Sequence, residues 1–183
     1  MSANAGIHIV DDALAGSDAL ATAQVLAGVL KDRGFDLVVF GSESTDARMS
    51  VVPVMVASGL GVAPLTFANK VDIDGGTVKI QRQTDYGYDE VEGSLPAVVS
   101  VVEKINEPRF PSFKGIMAAK KKPIESLAVA DAGLSADQVG QGAARSAVVE
   151  FADRPPKSAG VKVEDAGDGG VKIAEFLAEQ KLI

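Results

Sequence analysis

Cysteine and tryptophan are absent from this chain of 183 residues, histidine occurs once, at His8, and aromatic residues make up 5%. Without cysteine there is no disulfide framework, no thiol nucleophile and no thiolate metal site, and a lone histidine removes any multi-histidine metal cluster. No stretch approaches the roughly 20 apolar residues of a membrane-spanning helix. The N-terminus lacks the charged-then-apolar pattern of a secretory signal, so the expected setting is cytoplasmic. Positive charge is also short: the formal net charge is −7, which argues against general nucleic-acid binding. What remains is 46% hydrophobic, with a mean hydropathy of +0.16. It is rich in Ala, Val and Gly, as suits an α/β domain long enough to bury a core.

Gly6 to Val10 (GIHIV) reads as a short buried strand. The acidic pair Asp11-Asp12 follows. Gly16-Ser17-Asp18 then supplies N-cap chemistry for a helix over Ala19 to Lys31, with Leu20, Ala23, Leu26, Ala27 and Leu30 on one face. Phe35 to Phe40 (FDLVVF) is a near-continuous apolar run, the signature of a parallel strand covered on both faces. Past Gly41 to Asp46 a second helix is expected from about Met49, turning Val52, Val56 and Leu60 inward. Leu65 to Asp72 and Thr77 to Gln83 alternate around the hairpin turn Asp74-Gly75-Gly76. A third strand is expected over Tyr86 to Glu92, and a fourth, apolar throughout and so central, over Ala97 to Val102.

Further on lie a short helix over Gly115 to Lys122 with a basic end, a strand over Ile124 to Val129 and a loop over Gly133 to Gly142. A strand candidate over Ser146 to Phe151, a Pro-Pro linker over Arg154 to Gly160 and a terminal amphipathic helix using Ile173, Phe176 and Leu177 complete the chain. The expected class is α/β: a doubly wound, mostly parallel sheet with an added antiparallel ribbon and a C-terminal arm. Residues 1–153 are expected to form a partial nucleotide-binding-type domain and residues 154–183 a linker and arm helix. The chain enters directly on what reads as an interior strand, so the first β-α unit of such a fold is expected to be missing.

Four features bear on chemistry. Gly41 to Asp46 sits where a doubly wound sheet meets nucleotides, after a strand and before a helix whose free N–H groups suit phosphate. Ser42, Ser44 and Thr45 offer hydroxyls and Arg48 a cation, although an ordinary loop with Asp46 as N-cap fits the composition equally well. Neither a G-x-x-x-x-G-K-[ST] nor a G-x-G-x-x-G pattern occurs there. Asp11 and Asp12 lack a third oxygen ligand or a paired histidine, so surface solvation is the expectation for them, and His8 is expected to pack in its strand. Glu103 to Pro123 (EKINEPRFPSFKGIMAAKKKP) puts Phe110 and Phe113 among prolines and charges, with no strand or helix period around them. Lys120 to Lys122 there suit a helix C-terminus or a partner's acidic face.

Within that stretch, Asn106 to Pro123 closely resembles the β subunit of electron transfer flavoprotein, whose members read N-E-P-R-[YF]-P/A-[ST]-x-x-x-I-M-x-A-K-K-K. Pro96-Ala97-Val98-Val99-Ser100, the helix and loop GSDALATAQVLAGVL and DLVVFGSESTDARMSVVP, and RPPKSAGVKVED extend the likeness over Ile7 to Ile183. The resemblance implies an electron carrier subunit rather than an enzyme: the β half of an αβ heterodimer with one FAD held mainly by the α subunit. Electrons pass from flavin dehydrogenases, notably acyl-CoA dehydrogenases, towards a membrane quinone oxidoreductase. It also implies a structural AMP near Gly41, Ser44, Thr45, Asp46, Met49, Ser50, Val51 and Val52. Val51 stands where many members carry glutamine, which leaves backbone N–H groups to hold phosphate. Asn106, Glu107, Pro108, Arg109, Phe110, Phe113, Ile116, Met117 and Lys120 are implied as the partner-docking segment. Phe113 falls at the anchor position and Phe110 is expected to pack on its own domain. No metal ligand is implied. Taken without the resemblance, the residues fit a nucleotide-binding sensor or regulatory α/β module.

Overall fold

The computed structural model describes residues 3–157, 160 and 162–183 and divides the chain into two units, residues 1–147 and 148–183. The first unit begins with β1 (Gly6–Ile9), a 3-10 turn (Asp12–Leu14), α1 (Ala19–Lys31), β2 (Leu37–Gly41) and α2 (Val52–Leu60). Next come β3 (Ala63–Asp74), β4 (Thr77–Thr84), β5 (Gly87–Ser94) and β6 (Ala97–Val101). It closes with α3 (Phe113–Ala119), β7 (Ile124–Leu127), 3-10 turns at Val129–Ala132 and Ala136–Gln138, and α4 (Gly140–Ala143). The second unit carries α5 (Gly169–Glu179). Among the described residues no helix is long and apolar enough to cross a membrane.

The strands form two sheets. One is the parallel pair β1-β7, and the other has the order β2-β6-β3-β4-β5, parallel across β2, β6 and β3 and antiparallel through β4 and β5. This is the mixed α/β arrangement expected, with β6 central and Ala97 to Ser100 buried. Helices cover one face: Phe40 of β2 packs with Ala23 and Ala27 of α1 and Val56 of α2. The other face is closed by the ribbon, where Val78 and Ile80 of β4 join Leu65, Ala97 and Val99.

A bend in β3 allows that closure. Its first half pairs with β6 and its second half with β4, and the register breaks between Leu65 and Ala68 on one side and between Ala68 and Lys70 on the other. Phe67 at the break has φ +58°, a left-handed conformation that costs a non-glycine residue energy. Two side chains offset it. The Phe67 N–H donates to Ser100 Oγ at 3.0 Å, and Arg82 Nε donates to the Thr66 carbonyl at 3.0 Å. The ribbon folds back so closely that a Cβ on Gly93 would lie 3.3 Å from Ala63 Cβ and from Leu65 Cδ1.

Several expectations are corrected. The helix α1 buries not one face but two, with Val25 and Val29 in a cluster with Leu127, Val129 and Val139, and Ala23 and Ala27 in a cluster with Val56. A crossover helix flanked on both sides keeps few positions for solvent, here Thr22, Gln24 and Lys31. Strand β2 is not covered on both faces: among the described residues it has one strand neighbour, β6, and Val39 is 59% exposed. Strand β1 likewise pairs only with β7 among the described residues, leaving Ile7 and His8 exposed. Residues Ser146–Phe151 form no strand, and Val148, Val149 and Phe151 are exposed. Of the expected linker, Ser158 and Ala159 lie outside the described residues.

Gly28 tests the packing of α1. A Cβ there would sit 2.2 Å from the Ala132 carbonyl oxygen. Replacing a mid-helix glycine by alanine ordinarily stabilises by ~1 kcal/mol, but overpacking against backbone costs ~1–3 kcal/mol. We therefore expect Gly28→Ala to lower stability by ~1–2 kcal/mol in urea unfolding. Gly142→Ala, which meets nothing within 4 Å, is expected to be neutral or slightly stabilising. Equal stability of the two variants would show that α1 does not rest on the Val129–Ala132 turn.

Candidate functional site

The carboxyl edge of β2 opens into the loop Ser42–Ser50, most of it exposed. A Cβ on Gly41 would touch nothing within 4 Å. Asp46 Oδ1 accepts from the Ala47 N–H at 2.7 Å, and the Ser44 hydroxyl beside it, followed by that N–H, holds the carboxyl below its ordinary range. The Arg48 N–H donates to the Ser44 carbonyl at 3.3 Å. Arg48 and Ser50 both have positive φ, +48° and +57°, and strained non-glycine residues of this kind gather at ligand sites.

The helix α2 starts at Val52, three residues past the expected start at Met49. Its N-cap is Val51, with no side-chain cap bond, so Asp46 caps only its own turn. Pro53, in the first turn, has no N–H. The Val52 and Val54 amides therefore lead the helix without a side-chain acceptor, an arrangement suited to an anion. Gly41, Ser44, Thr45, Asp46, Met49, Ser50, Val51 and Val52 form one contiguous loop and helix start, with Met49 exposed and Val51 and Val52 half-buried.

The second candidate is the segment after β6. Asn106, Glu107, Pro108, Arg109 and Phe110 run exposed and without regular structure. Phe110 is 99% exposed, so it does not pack on its own domain. Two flanking prolines hold the chain extended there, and among the described residues no element lies over it. Ser112 caps α3 by accepting from the Gly115 N–H at 3.1 Å, which starts the helix earlier than expected and places Phe113 in its first turn. Phe113 is 80% exposed, and Ile116 and Met117 also present apolar surface. Lys120 follows as C-cap, where a cation suits the helix end.

Two carboxylates turn out to fasten the fold at the carboxyl edge of β1. Asp11, expected to be merely solvated, accepts from the Ala13 N–H at 3.0 Å and from the Val129 N–H at 3.1 Å. Asp18, foreseen as a cap, does accept from the Ala21 N–H at 2.9 Å, and its other oxygen also takes the N–H groups of Arg145 at 2.8 Å and Ser146 at 3.2 Å. These long-range bonds leave no signature in local spacing. The same holds for the Ser100 and Arg82 contacts at the β3 bend, where Leu65 and Thr66 are both buried although the sequence alternates.

Fold and loop together define an α/β domain with a helix start that has no side-chain cap beside a parallel sheet, and a separate exposed segment that carries apolar side chains. Comparison with known proteins narrows the class. The electron transfer flavoprotein domain model matches residues 1–132. Electron transfer flavoprotein subunit beta of Mycobacterium tuberculosis (strain ATCC 25618 / H37Rv) is 47% identical over 184 residues, covering 100% of this chain and 69% of the relative. The protein of that description from Megasphaera elsdenii is 31% identical (100% of this chain, 72% of the relative), and the one from Bos taurus is 33% identical (96% and 68%). The chain belongs to the electron transfer flavoprotein family, on its β-subunit side.

Asp18 gives the acid behaviour of the fold a direction. Its carboxyl is held low first by the Ala21 N–H and then by the Arg145 N–H. A depressed pKa contributes stability that is present above the unfolded value and lost as pH falls through the folded one, below about pH 4. We expect Asp18→Asn to be less stable than the parent at neutral pH, with the gap closing on acidification below about pH 4. Urea midpoints measured across that range check this. A gap that does not change with pH would show that the charge contributes nothing.

Proposed function

We infer that this chain is the β half of a heterodimeric flavoprotein that carries electrons between enzymes. In this reading the chain is scaffold and docking surface, and the α subunit is its constant partner. The donors are flavin dehydrogenases, notably acyl-CoA dehydrogenases, the acceptor is a membrane quinone oxidoreductase, and the setting is cytoplasmic. FAD, held mainly by the α subunit, supplies the redox chemistry when bound. The observation that carries the reading is the exposed, proline-stiffened segment from Asn106 with Phe113 standing out at the start of α3, in a chain of this family.

Docking follows from physical terms. Pro108 and Pro111 limit the freedom lost on binding. Phe113 enters an apolar pocket on the dehydrogenase, and Arg109 and Lys114 sit at the rim, where they raise the on-rate more than the affinity. Ile116 and Met117 extend the apolar contact. A single anchor leaves the flavin-bearing part of the complex free to move. AMP is the ligand we assign to the α2 start: the backbone N–H groups of Val52 and Val54 and the hydroxyls of Thr45 and Ser50 suit its phosphate, while Gly41 leaves room beside them.

Co-expression with a flavin-binding α subunit is expected to yield a yellow heterodimer. A chain that binds nucleotide alone and stays colourless would instead be a sensor module. Phe113→Ala is expected to weaken dehydrogenase coupling by ~2 kcal/mol with flavin content unchanged, read from electron-transfer rates at limiting concentration. Rates equal to the parent would remove Phe113 as the anchor. Acid extraction of the heterodimer is expected to release AMP in proportion to protein, and an extract free of nucleotide would sink that assignment.

A further inference from the structure

The bend in β3 lies beside the root of the docking segment. Val101, the last residue of β6, pairs in register with Gly41 of β2 and with Ala68 of β3. One residue past the strand, the Val102 N–H still donates to the Ala68 carbonyl at 3.0 Å. The chain then turns, with the Ile105 N–H on the Val102 carbonyl at 3.1 Å, and the exposed run begins at Asn106. The direction in which the segment departs is therefore set by where the Ala68 carbonyl points, and that follows from the left-handed φ of Phe67.

Two side chains hold that conformation from opposite sides. Ser100, 1% exposed, accepts the Phe67 N–H from β6. Arg82, paired with Ala68 in the β4 register, donates to the Thr66 carbonyl. We propose that Ser100 and Arg82 are positioning residues for partner docking: by locking the bend they fix the take-off of the segment that carries Phe113. The proposal rests on the docking reading above. Removing the Ser100 hydroxyl leaves the Phe67 N–H without its acceptor beside a strained φ. Asn69 Oδ1, at the same bulge, is already buried without a partner, so a second unsatisfied group there would reopen the bend. A segment released at its root loses the preorganisation that limits the cost of docking.

The test uses the flavin-loaded heterodimer carrying Ser100→Ala, Ser100→Thr or Arg82→Met, with amide hydrogen exchange over residues 102–112 and the dehydrogenase-concentration dependence of electron transfer as readouts. We expect Ser100→Ala to speed exchange at residues 102–106 and raise KM for the dehydrogenase about fivefold, the order carried by one lost hydrogen bond, with kcat unchanged. Ser100→Thr, which keeps the hydroxyl, is expected to match the parent. Arg82 is half-buried, so Arg82→Met carries the same measurements should Ser100→Ala fail to assemble. A fall in global stability with exchange at residues 102–106 and KM both unchanged would overturn the proposal and leave the bend a purely structural feature. Should Phe113→Ala leave KM unchanged, the docking reading fails by itself, and the exchange data still decide whether the bend fixes the segment.

Discussion

The packing of α1 is the constraint on which the rest of the first unit depends. The β1-β7 pair and the five-stranded sheet share no ladder among the described residues, yet both must hold their loops in place. The helix places Val25 and Val29 against the first and Ala23 and Ala27 against the helix-covered face of the second. Burying each valine contributes ~1.5–3 kcal/mol. The surface ion pair between Arg33 and Glu125 at 2.9 Å, two-fifths to half exposed, is screened by solvent and adds little. Apolar burial on two sides of one helix, rather than charge, therefore joins the two sheets.

That arrangement explains why small residues fill α1. Gly28 lets the helix backbone approach the Ala132 carbonyl, and a Cβ on Gly59 of α2 would lie 3.1 Å from Ala27 Cβ. Close approach on both sides fixes the helix axis. Its first turn fixes a loop as well, because Asp18 caps α1 and holds the Arg145 and Ser146 amides with the same carboxylate. Gly140 follows this logic: it has φ +70°, and its N–H donates to Ser17 Oγ at 2.9 Å while a Cβ would run into the Ala13 carbonyl oxygen at 2.3 Å.

Local pattern made much of this legible. The bounds of α1, the Asp74 to Gly76 turn with Gly75 at φ +57° and the buried run of β6 were all readable from periodicity and turn chemistry. The exposed segment after β6 was marked by phenylalanines outside any period, and the loop Ser42–Ser50 by its place after β2. What escaped were features decided by distant partners. Val39 reads as a core residue, and only the strand order shows that β2 has a single neighbour among the described residues. Phe110 reads as inward-packing from its nearness to β6, but the two prolines beside it carry the chain away. Asp11 looked solvated because the N–H it accepts belongs to Val129, across the sheet pair. Asp46 looked like a helix cap because the two left-handed residues that delay α2, Arg48 and Ser50, are not glycines and gave no signal.

Charge separates along the same unit in a way that bears on how a partner would approach. The chain is acidic overall, yet the stretch from Glu103 to Pro123 carries Lys104, Arg109, Lys114 and Lys120 to Lys122 against only Glu103 and Glu107. The ribbon has the opposite balance: Asp85, Asp89, Glu90 and Glu92 lie along β5 and its turn. Ion pairs such as Lys79–Glu92 at 3.0 Å neutralise part of it. An acidic partner surface would thus be drawn to the α3 end and turned from the ribbon before any contact forms, an effect that acts on encounter rate and fades as salt screens it over about 8 Å at physiological ionic strength. Steering of this kind cannot hold a complex. Affinity would have to come from apolar side chains, and within this basic stretch Phe113, Ile116 and Met117 stand exposed.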